Sequence, residues 1–346
     1  MTRLNRRRFL TAASATGAAA AVTPGTAFAN GGDGRRPDLV GVQAANGASV
    51  IAQHLLDPRT MDITIDSVAL GQTASARIVL PSRFGARSGA SWPVLYLLHG
   101  GYGNYADWTR HSDVVGLTRG HDVLVVMPDG GQLGFYTDWW AHGGSKPGWE
   151  TFHLTELPQI IERGLRAGDR RAIAGLSMGG FGAMSYAGRR PGHFRAAASF
   201  SGTLDTLHPT AGPIYPGPFA NWLLQANYAP NGYDPLALFG DPTAQRSVWA
   251  AHNPLDLVAK LRDTKLFVSC GNGQPGPLDP PGTDPSATAV RYEAAQALQN
   301  REFIKRATVI GLDITVDTYP GSHSWPYWTR EFEKALPLLL RAITTG

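Results

Sequence analysis

Short runs of apolar and β-branched residues recur along most of the chain, and stretches with helical spacing of apolar positions separate many of them. Eight runs have the composition of strands: 62–67, 76–80, 94–98, 123–127, 171–174, 196–200, 265–270 and 314–319. The patterns between them predict helices over 157–167, 178–189, 254–261, 289–306 and 328–343. This alternation predicts an α/β fold with a mostly parallel eight-stranded sheet and helices on both faces.

Three parts of the chain depart from that alternation. Residues 1–29 carry consecutive arginines before an Ala-rich run and end in Ala-Phe-Ala, the order of a twin-arginine export signal and its cleavage site. Residues 30–55, rich in Gly, Ala and Asn, predict a linker before a folded domain over 56–346. Within that domain, residues 205–251 are rich in Pro, Gly, Tyr and Trp and predict an insertion near the ligand-binding edge of the sheet or a packing excursion.

Charge, hydropathy and cysteine content exclude several classes of protein. Arg3, Arg6, Arg7 and Arg8 account for the whole formal charge of +4, so the chain without its export signal has no electrostatic reason to bind nucleic acid. No later stretch reaches the ~18 apolar residues of a spanning helix, which predicts a secreted protein without a transmembrane segment. Association with the cell envelope stays open. Cys270 ends a predicted strand and is the only cysteine, so we expect a buried thiol.

The five residues from Gly175 to Gly179 match the G-x-S-x-G pattern of a sharp strand-to-helix turn. In a chain with 41 glycines the pattern alone is weak evidence, since a glycine-rich surface turn matches it equally. A predicted strand precedes it directly and a predicted helix follows, which is the context that lifts a serine hydroxyl above the sheet. We therefore predict Ser177 as a nucleophile and the Met178 amide, at the start of the helix, as an oxyanion donor.

A second glycine-rich segment, from His99 to Gly103, follows the third predicted strand. It is close to the HGGG-type segment of esterases, which supplies a backbone amide to the oxyanion. We predict the Gly101 amide as that second donor.

The order of residues narrows the choice of base among ten histidines. In enzymes whose serine lies on this strand-to-helix turn, the nucleophile, the acid and the histidine follow one another in that order along the sequence, and the histidine comes after the last strand. His323 follows the last predicted strand and is the only histidine after His252. We predict that His323 accepts the proton of Ser177 and returns it to the leaving group.

The acid is expected after the seventh predicted strand. Asp279, Asp284 and Glu293 are all available there, and spacing alone does not choose among them. A carboxylate is required because it fixes the imidazole tautomer and stabilises the imidazolium. Metal-ligand spacing is not found among the His, Asp and Glu residues, so we expect no metal and no cofactor.

Seven separate motifs occur in one order along the chain: Gly-Phe-Tyr-Thr-Asp-Trp at 134–139, Trp-Glu-Thr-Phe at 149–152, Glu-Leu-Pro at 156–158, Gly-Leu-Ser-Met at 175–178, Asn-Pro-Leu at 253–255, Cys-Gly-Asn-Gly at 270–273 and His-Ser-Trp-Pro-Tyr-Trp at 323–328. In these motifs the chain resembles the antigen 85 mycolyltransferases and diacylglycerol acyltransferases, within the wider esterase D-like set of α/β-hydrolases. The resemblance covers roughly residues 60–340.

The resemblance implies roles for particular residues. The family's acid is a glutamate on the helix after the Cys-Gly-Asn-Gly motif, and Glu293 holds that position. The family's oxyanion donors correspond to the amides of Gly101 and Met178, in agreement with the choice made above from the motifs.

The resemblance also implies substrate contacts. The family's trehalose-contacting Asp and Arg are replaced here by His99 and Tyr102, which favours simple ester hydrolysis over transfer to trehalose. The aromatic positions Trp108, Trp139 and Trp325 are kept, and such rings serve as walls of an acyl groove, platforms for a sugar or plain core.

These observations predict an exported serine esterase or acyltransferase. An acyl group would pass from an ester of a sugar or glycerolipid to the serine, and then to water or an alcohol. One alternative is a secreted carboxylesterase that removes acetyl or feruloyl groups from polysaccharides. Another is a non-catalytic cell-wall-binding protein. The presence of candidates for Ser, acid and His in the expected order argues against it.

Overall fold

The computed structural model describes residues 37–85, 91–140 and 147–345. The export signal predicted for residues 1–29 lies outside these ranges. Nine strands occur in the described ranges: β1 (Ser49–Leu55), β2 (Thr60–Ser67), β3 (Gln72–Val79), β4 (Trp92–Leu98), β5 (Leu124–Pro128), β6 (Ala167–Leu176), β7 (Ala196–Phe200), β8 (Lys265–Gly271) and β9 (Ile314–Tyr319). They form one sheet in the order β1-β2-β3-β5-β4-β6-β7-β8-β9.

The sheet has an antiparallel side and a parallel side. β1, β2, β3 and β5 pair antiparallel, whereas every neighbouring pair from β5 through β4 to β9 is parallel. The predicted α/β fold with a mostly parallel sheet is therefore confirmed, with nine strands rather than eight. The carboxyl ends of β4 to β9 meet along one edge, which is where ligands bind in such sheets.

Helices connect the parallel strands. They are α1 (Asp107–His111), α2 (Val114–Leu117), α3 (Trp149–Thr151), α4 (Leu157–Leu165), α5 (Met178–Arg189), α6 (Phe219–Asn221), α7 (Arg246–His252), α8 (Pro254–Leu257), α9 (Thr288–Val309) and α10 (Trp325–Thr344). The five predicted helices correspond to α4, α5, α8, α9 and α10. π-helical turns cover Phe152–Glu156 and Trp222–Tyr228, and 3-10 turns cover Gly212–Ile214, Ala229–Asn231 and Val258–Leu261. No helix of the described ranges has the length and hydropathy to cross a bilayer.

Two hydrophobic clusters cover the two faces of the sheet. Alternate residues of β4 belong to different clusters: Val94 and Tyr96 to one, Leu95 and Leu97 to the other. The first cluster includes side chains of α4, α5 and α9, and the second is covered by α10 through residues such as Phe332. Because both faces are covered, the central strands are apolar at nearly every position, and this explains why their sequence runs are continuous.

The predicted linker over 30–55 is wrong in the part that the structure describes. Leu39 and Ala48 are fully buried, and β1 pairs with β2 along the edge of the sheet. Only Val50 of the seven residues of β1 is fully enclosed, so the strand shows no alternation of apolar and polar positions. An edge strand of this kind is held by backbone hydrogen bonds and leaves little trace in the hydropathy pattern.

Candidate active site

Ser177 lies on a tight turn between β6 and α5. Its backbone has φ 53° and ψ −120°, a conformation that non-glycine residues rarely adopt. A Cβ atom at Gly175 would overlap the carbonyl oxygen of Gly179, and one at Gly179 would overlap the carbonyl oxygen of Leu98. Glycine is therefore required at both positions, and the turn that they permit directs Ser177 toward the ligand-binding edge of the sheet.

Three predicted residues meet at this turn. The Ser177 Oγ lies 2.9 Å from His323 Nε2, and His323 Nδ1 lies 2.6 Å from Glu293 Oε2. The His323 backbone N–H donates to the Ala289 carbonyl oxygen over 3.0 Å, so the loop after β9 is tied to α9, the helix that carries Glu293. The arrangement can move a proton from a serine hydroxyl to an imidazole whose tautomer a carboxylate fixes.

Glu293 is fully buried, with 0% of its surface exposed. A buried carboxylate needs hydrogen-bond donors, and its Oε1 accepts from the Ser201 hydroxyl at 2.6 Å and the Gly271 amide at 2.5 Å. The Cys270 thiol lies 3.5 Å from the same oxygen. Burial, reinforced by the charge of Glu293, raises the pKa of Cys270 well above its usual value, so the thiol stays neutral. The prediction that Cys270 is buried is confirmed.

The two aspartates that competed for the role of acid lie elsewhere. Asp279 accepts hydrogen bonds from the Gly276 amide, the Tyr327 hydroxyl and the Ser322 hydroxyl, and so supports the loop that carries His323. Asp284 is exposed and accepts from the Ser286 amide at 2.8 Å, a bond that lowers the pKa of its carboxyl. Of the three candidates, the structure brings only Glu293 to His323.

Both predicted oxyanion donors line the cavity that Ser177 and His323 also line. Met178 is the first residue of α5, and Gly101 lies in the loop after β4. Neither amide has a backbone or side-chain acceptor within the described part of the chain, apart from bonds internal to α5. Two unpaired amides beside a serine hydroxyl can donate to the negatively charged oxygen of a tetrahedral intermediate.

The prediction that His99 contacts substrate is wrong. Its side chain is 1% exposed, and Nε2 accepts from the Gly130 amide at 2.8 Å. The proton therefore lies on Nδ1, which donates to the Gly100 carbonyl oxygen at 2.7 Å. That carbonyl and the Gly101 N–H belong to one peptide group, so His99 orients the candidate oxyanion donor from behind. Both ring nitrogens are engaged inside the protein.

Two of the three predicted tryptophan contacts are also wrong. Trp108 is 1% exposed, and its indole N–H donates to the Leu98 carbonyl oxygen at 3.1 Å, so it belongs to the core under α10. Trp139 packs against the rings of Tyr228 and Tyr233, at 5.6 and 5.5 Å, and supports residues 205–251 from below. A large apolar ring fills core space wherever the fold offers it, and sequence alone does not separate that use from a groove wall.

Tyr102 and Trp325 do face the site, in two different cavities. A cavity of about 390 Å³ beside Ser177 is lined by Tyr102 and, from the predicted insertion, by Trp222 and Asn227. A recess of about 110 Å³ also reaches Ser177 and is lined by Trp325. Residues 205–251 therefore lie at the site rather than forming a distant packing excursion.

Three residues of the site were not predicted. The Tyr292 ring lies 4.4 Å from the His323 ring, and burial raises the pKa of Tyr292 so that its hydroxyl stays protonated. Ser201 bonds to Glu293, and Trp222 lies in the cavity wall. Ser201 directly follows β7 at the ligand-binding edge, a position that could have marked it. Neither of the others carries a comparable signal.

Metal ligands do not cluster in the described ranges, where no group of three or more His, Cys, Asp or Glu side chains is arranged to hold an ion.

Comparison with known proteins identifies relatives of this chain. The family model Esterase, described as "Putative esterase", matches residues 67–339. The esterase Rv1288 of Mycobacterium tuberculosis is 30% identical over 291 residues, which cover 82% of this chain and 60% of that protein. The diacylglycerol acyltransferase/mycolyltransferase Ag85B of Mycolicibacterium smegmatis is 31% identical over 266 residues, which cover 72% of this chain and 77% of that protein. The resemblance stated from the motifs is confirmed.

Solved structures show the same fold. Mycobacterium tuberculosis MPT51 (FbpC1) aligns with a TM-score of 0.63 at 22% identity, covering 80% of this chain and 96% of that one. An S-formylglutathione hydrolase from Agrobacterium tumefaciens aligns with a TM-score of 0.61 at 19% identity, covering 85% of this chain and 99% of that one. At these identities the likeness concerns the fold, and the α/β-hydrolase prediction is confirmed at that level.

Proposed function

We propose, because the chain belongs to the Esterase family, that it cleaves acyl esters through an acyl-enzyme formed on Ser177. The observation that carries this proposal is the unbroken chain of hydrogen bonds from Ser177 through His323 to Glu293, at 2.9 and 2.6 Å. It lies beside a cavity lined by Gly101 and Met178, whose amides have no acceptor outside α5 in the described part of the chain. These are the parts that serine acyl transfer requires.

In the proposed reaction His323 Nε2 takes the proton of Ser177 while the serine oxygen attacks the ester carbonyl carbon. The amides of Gly101 and Met178 donate to the oxyanion of the tetrahedral intermediate. When the intermediate collapses, the bond to the alcohol oxygen breaks and His323 returns its proton to that oxygen. Glu293 keeps its charge throughout and holds the Nδ1 proton.

The second half of the reaction reverses these roles with a new acceptor. His323 takes a proton from water or an alcohol, whose oxygen attacks the acyl carbon, and Ser177 leaves with the proton. We propose esters of sugars or glycerolipids as acyl donors. Hydrolysis is the favoured outcome, because Tyr102 and the buried His99 stand at the positions where the family resemblance implies an Asp and an Arg that contact trehalose.

The test treats the purified protein with a fluorophosphonate and then with acyl esters, with and without trehalose, glycerol or diacylglycerol. Covalent labelling that is lost in Ser177→Ala supports the proposal, and labelling that persists in that variant rejects it. Free acid as the sole product assigns hydrolysis. Acylated acceptor in amounts that rise with acceptor concentration assigns transfer.

A second candidate is an esterase that removes acetyl or feruloyl groups from polysaccharides. It is favoured by a cavity lined with aromatic and neutral polar side chains, which suits a phenolic or carbohydrate group. Release of acetate or ferulate from acylated xylan, faster than from glycerolipid esters, would select it. The non-catalytic alternative predicts no fluorophosphonate labelling at all.

We also propose export through the twin-arginine route, followed by release or by attachment to the cell envelope. Replacing Arg6 and Arg7 with lysine should hold the protein inside the cell. Fractionation into cytoplasm, envelope and medium tests the proposal, and unchanged export of the double variant would contradict it.

A further inference from the structure

The site has two unequal cavities that meet at the reacting atoms. Ser177, His323 and Gly101 line both of them. One measures about 390 Å³ and the other about 110 Å³. An ester bound with its carbonyl carbon at the serine oxygen directs its two substituents away from each other, so each substituent enters a different cavity.

The small cavity, named here the Trp325 recess, has walls that cannot easily move. It is lined by Gly100, Gly101, Gly103, Asp107, Leu176, Ser177, His323, Trp325 and Trp328. The Trp325 ring stacks on His111 at 4.5 Å and meets Trp108 edge-on at 5.4 Å. The Trp328 indole N–H donates to the Ser201 hydroxyl at 3.1 Å. Close-packed walls of this kind resist enlargement by a ligand.

The recess therefore limits the size of one substituent. Its volume, about 110 Å³, is less than a third of the 390 Å³ of the other cavity. The carboxylate of Asp107 in its wall is already paired with Arg110 at 2.8 Å and accepts from the Asn104 amide at 3.0 Å. A short neutral substituent, such as a methyl to propyl group, fits this volume and does not require the Asp107 carboxylate, which is already paired.

The large cavity, named here the Trp222 cavity, selects by charge and shape. Its walls are Gly101, Tyr102, Leu133, Phe135, Ser177, Met178, Thr203, Trp222, Leu223, Asn227, Thr288, Ala289, Tyr292 and His323. None of these described residues is Asp, Glu, Lys or Arg. A charged substituent would lose its hydration here and gain no partner, whereas an aromatic one can pack against Trp222 and Tyr292, whose rings lie 5.2 Å apart.

We infer that the preferred substrate is an uncharged, unsymmetrical ester. One part is short and occupies the Trp325 recess, and the other is bulky, apolar or aromatic and occupies the Trp222 cavity. This inference rests on the proposed function and adds the substrate class. The short part is either the acyl group or the alcohol, and the experiment distinguishes the two.

The test compares two series of neutral esters by kcat/KM. In the first, 2-naphthol carries acetyl, butyryl or octanoyl groups. In the second, 2-naphthoic acid carries methyl, butyl or octyl groups. We expect kcat/KM to fall at least about tenfold between the shortest and the octyl member of one series, which then identifies the short part. The acetate of 6-hydroxy-2-naphthoic acid, which adds a carboxylate to the bulky part, should react at least about tenfold more slowly than 2-naphthyl acetate.

Substitutions separate the two cavities. Trp325→Ala should remove most of the penalty on the octyl member, so kcat/KM for the octyl member should rise relative to kcat/KM for the shortest member. Trp222→Ala should lower kcat/KM for naphthyl esters about tenfold and leave the length limit in place. Trp140→Ala is the matched control, since Trp140 is half-exposed and lines neither cavity.

The outcomes separate this inference from the proposed function. If kcat/KM is constant or rises with length in both series, while fluorophosphonate still labels Ser177, the inference is overturned and the proposed function survives. If no ester reacts and no label is found, the proposed function fails first. A Trp325→Ala variant that changes all lengths equally would also overturn the inference.

Discussion

The two sides of the candidate site are built differently. One side, the frame, consists of the turn after β6, the helix α9 with Glu293, and the loop after β9 with His323. Ser177 and Glu293 are buried in it, and it is tied together by bonds such as that from the His323 amide to the Ala289 carbonyl oxygen. The other side, the cover, is residues 205–251. It consists of short helices with 3-10 and π-helical turns, and many of its residues are exposed.

This difference indicates that the frame determines the reaction and that the cover determines selectivity for the substrate. The frame holds the proposed reacting groups near the ends of parallel strands, where topology brings distant segments of the chain together. The cover supplies Trp222 and Asn227 to the larger cavity and contacts the loop after β4 through the exposed Tyr102. We therefore expect substitutions in the frame to lower kcat strongly and substitutions in the cover to act mainly on KM.

Removing the hydroxyl of Ser177 should have the largest effect. Ser177→Ala eliminates the proposed nucleophile, and we expect kcat to fall about 10⁶-fold with little change in the melting temperature. Ester hydrolysis and fluorophosphonate labelling measure the effect. If the variant keeps more than a few per cent of the activity, the frame does not contain the nucleophile.

Neutralising the buried carboxylate should rank second. Glu293→Gln keeps the shape but no longer fixes the imidazole tautomer, and we expect a loss of about 10⁴-fold in kcat. Asp284→Asn is the matched control, because Asp284 is exposed and lies away from His323. A fully active Glu293→Gln together with an inactive Asp279→Asn would move the role of acid to Asp279.

Much of the frame could be predicted from sequence, and little of the cover. Ser177 and His323 follow from a short motif and from residue order, because strand ends in a parallel sheet must share an edge. Glu293 required the resemblance, since it lies inside a helix and spacing alone left two aspartates available. Trp108 and Trp139 were misassigned because hydropathy does not distinguish a core ring from a groove wall.

The dependence of stability on pH tests whether the frame and the cover unfold together. Burial lowers the pKa of His153, behind the frame, to about 4, and does the same to His252, just after the cover. Unfolded chains take up these protons near pH 6.5, so stability is greatest above that pH and falls as the pH drops from about 6.5 to about 4. The fully buried His153 alone should lower the free energy of unfolding by about 3 kcal/mol over this pH range.

Urea unfolding at pH 7.5 and pH 4.5 measures this loss. His153→Gln should flatten the dependence on pH, and His252→Gln should flatten the same transition if the two regions unfold as one. A variant of His153 with the parent's pH dependence would contradict the assignment. Two separate transitions in the parent would show that the cover unfolds independently.

Substitution of Ser201 tests how the frame positions Glu293. Its backbone has φ 50°, and its hydroxyl bonds to Glu293 and accepts from Trp328. Ser201→Gly relieves the backbone conformation while removing the hydroxyl, so we expect kcat to fall about 10- to 100-fold with an unchanged KM and no loss of stability.

Ser201→Ala is the matched variant, because it lacks the hydroxyl but keeps the Cβ. If Ser201 positions Glu293, the two variants lose similar activity although their stabilities differ. Activity that follows stability from one variant to the other would assign Ser201 a merely structural role.

The smallest effect is expected where the cover contacts the loop after β4. The Tyr102 hydroxyl accepts from the Asn231 side-chain amide at 3.0 Å and donates to the Asn227 Oδ1 at 3.4 Å, and the Tyr102 side chain is 55% exposed. An exposed hydrogen bond of this kind contributes less than about 1 kcal/mol. Tyr102→Phe should therefore raise KM about two- to fivefold and leave kcat unchanged, as Asn231→Ala should. The double variant should be no worse than Tyr102→Phe alone, because both changes remove the Tyr102–Asn231 bond. A hundredfold loss of kcat in Tyr102→Phe would instead place Tyr102 in the frame, and the division between reaction and selectivity would not hold.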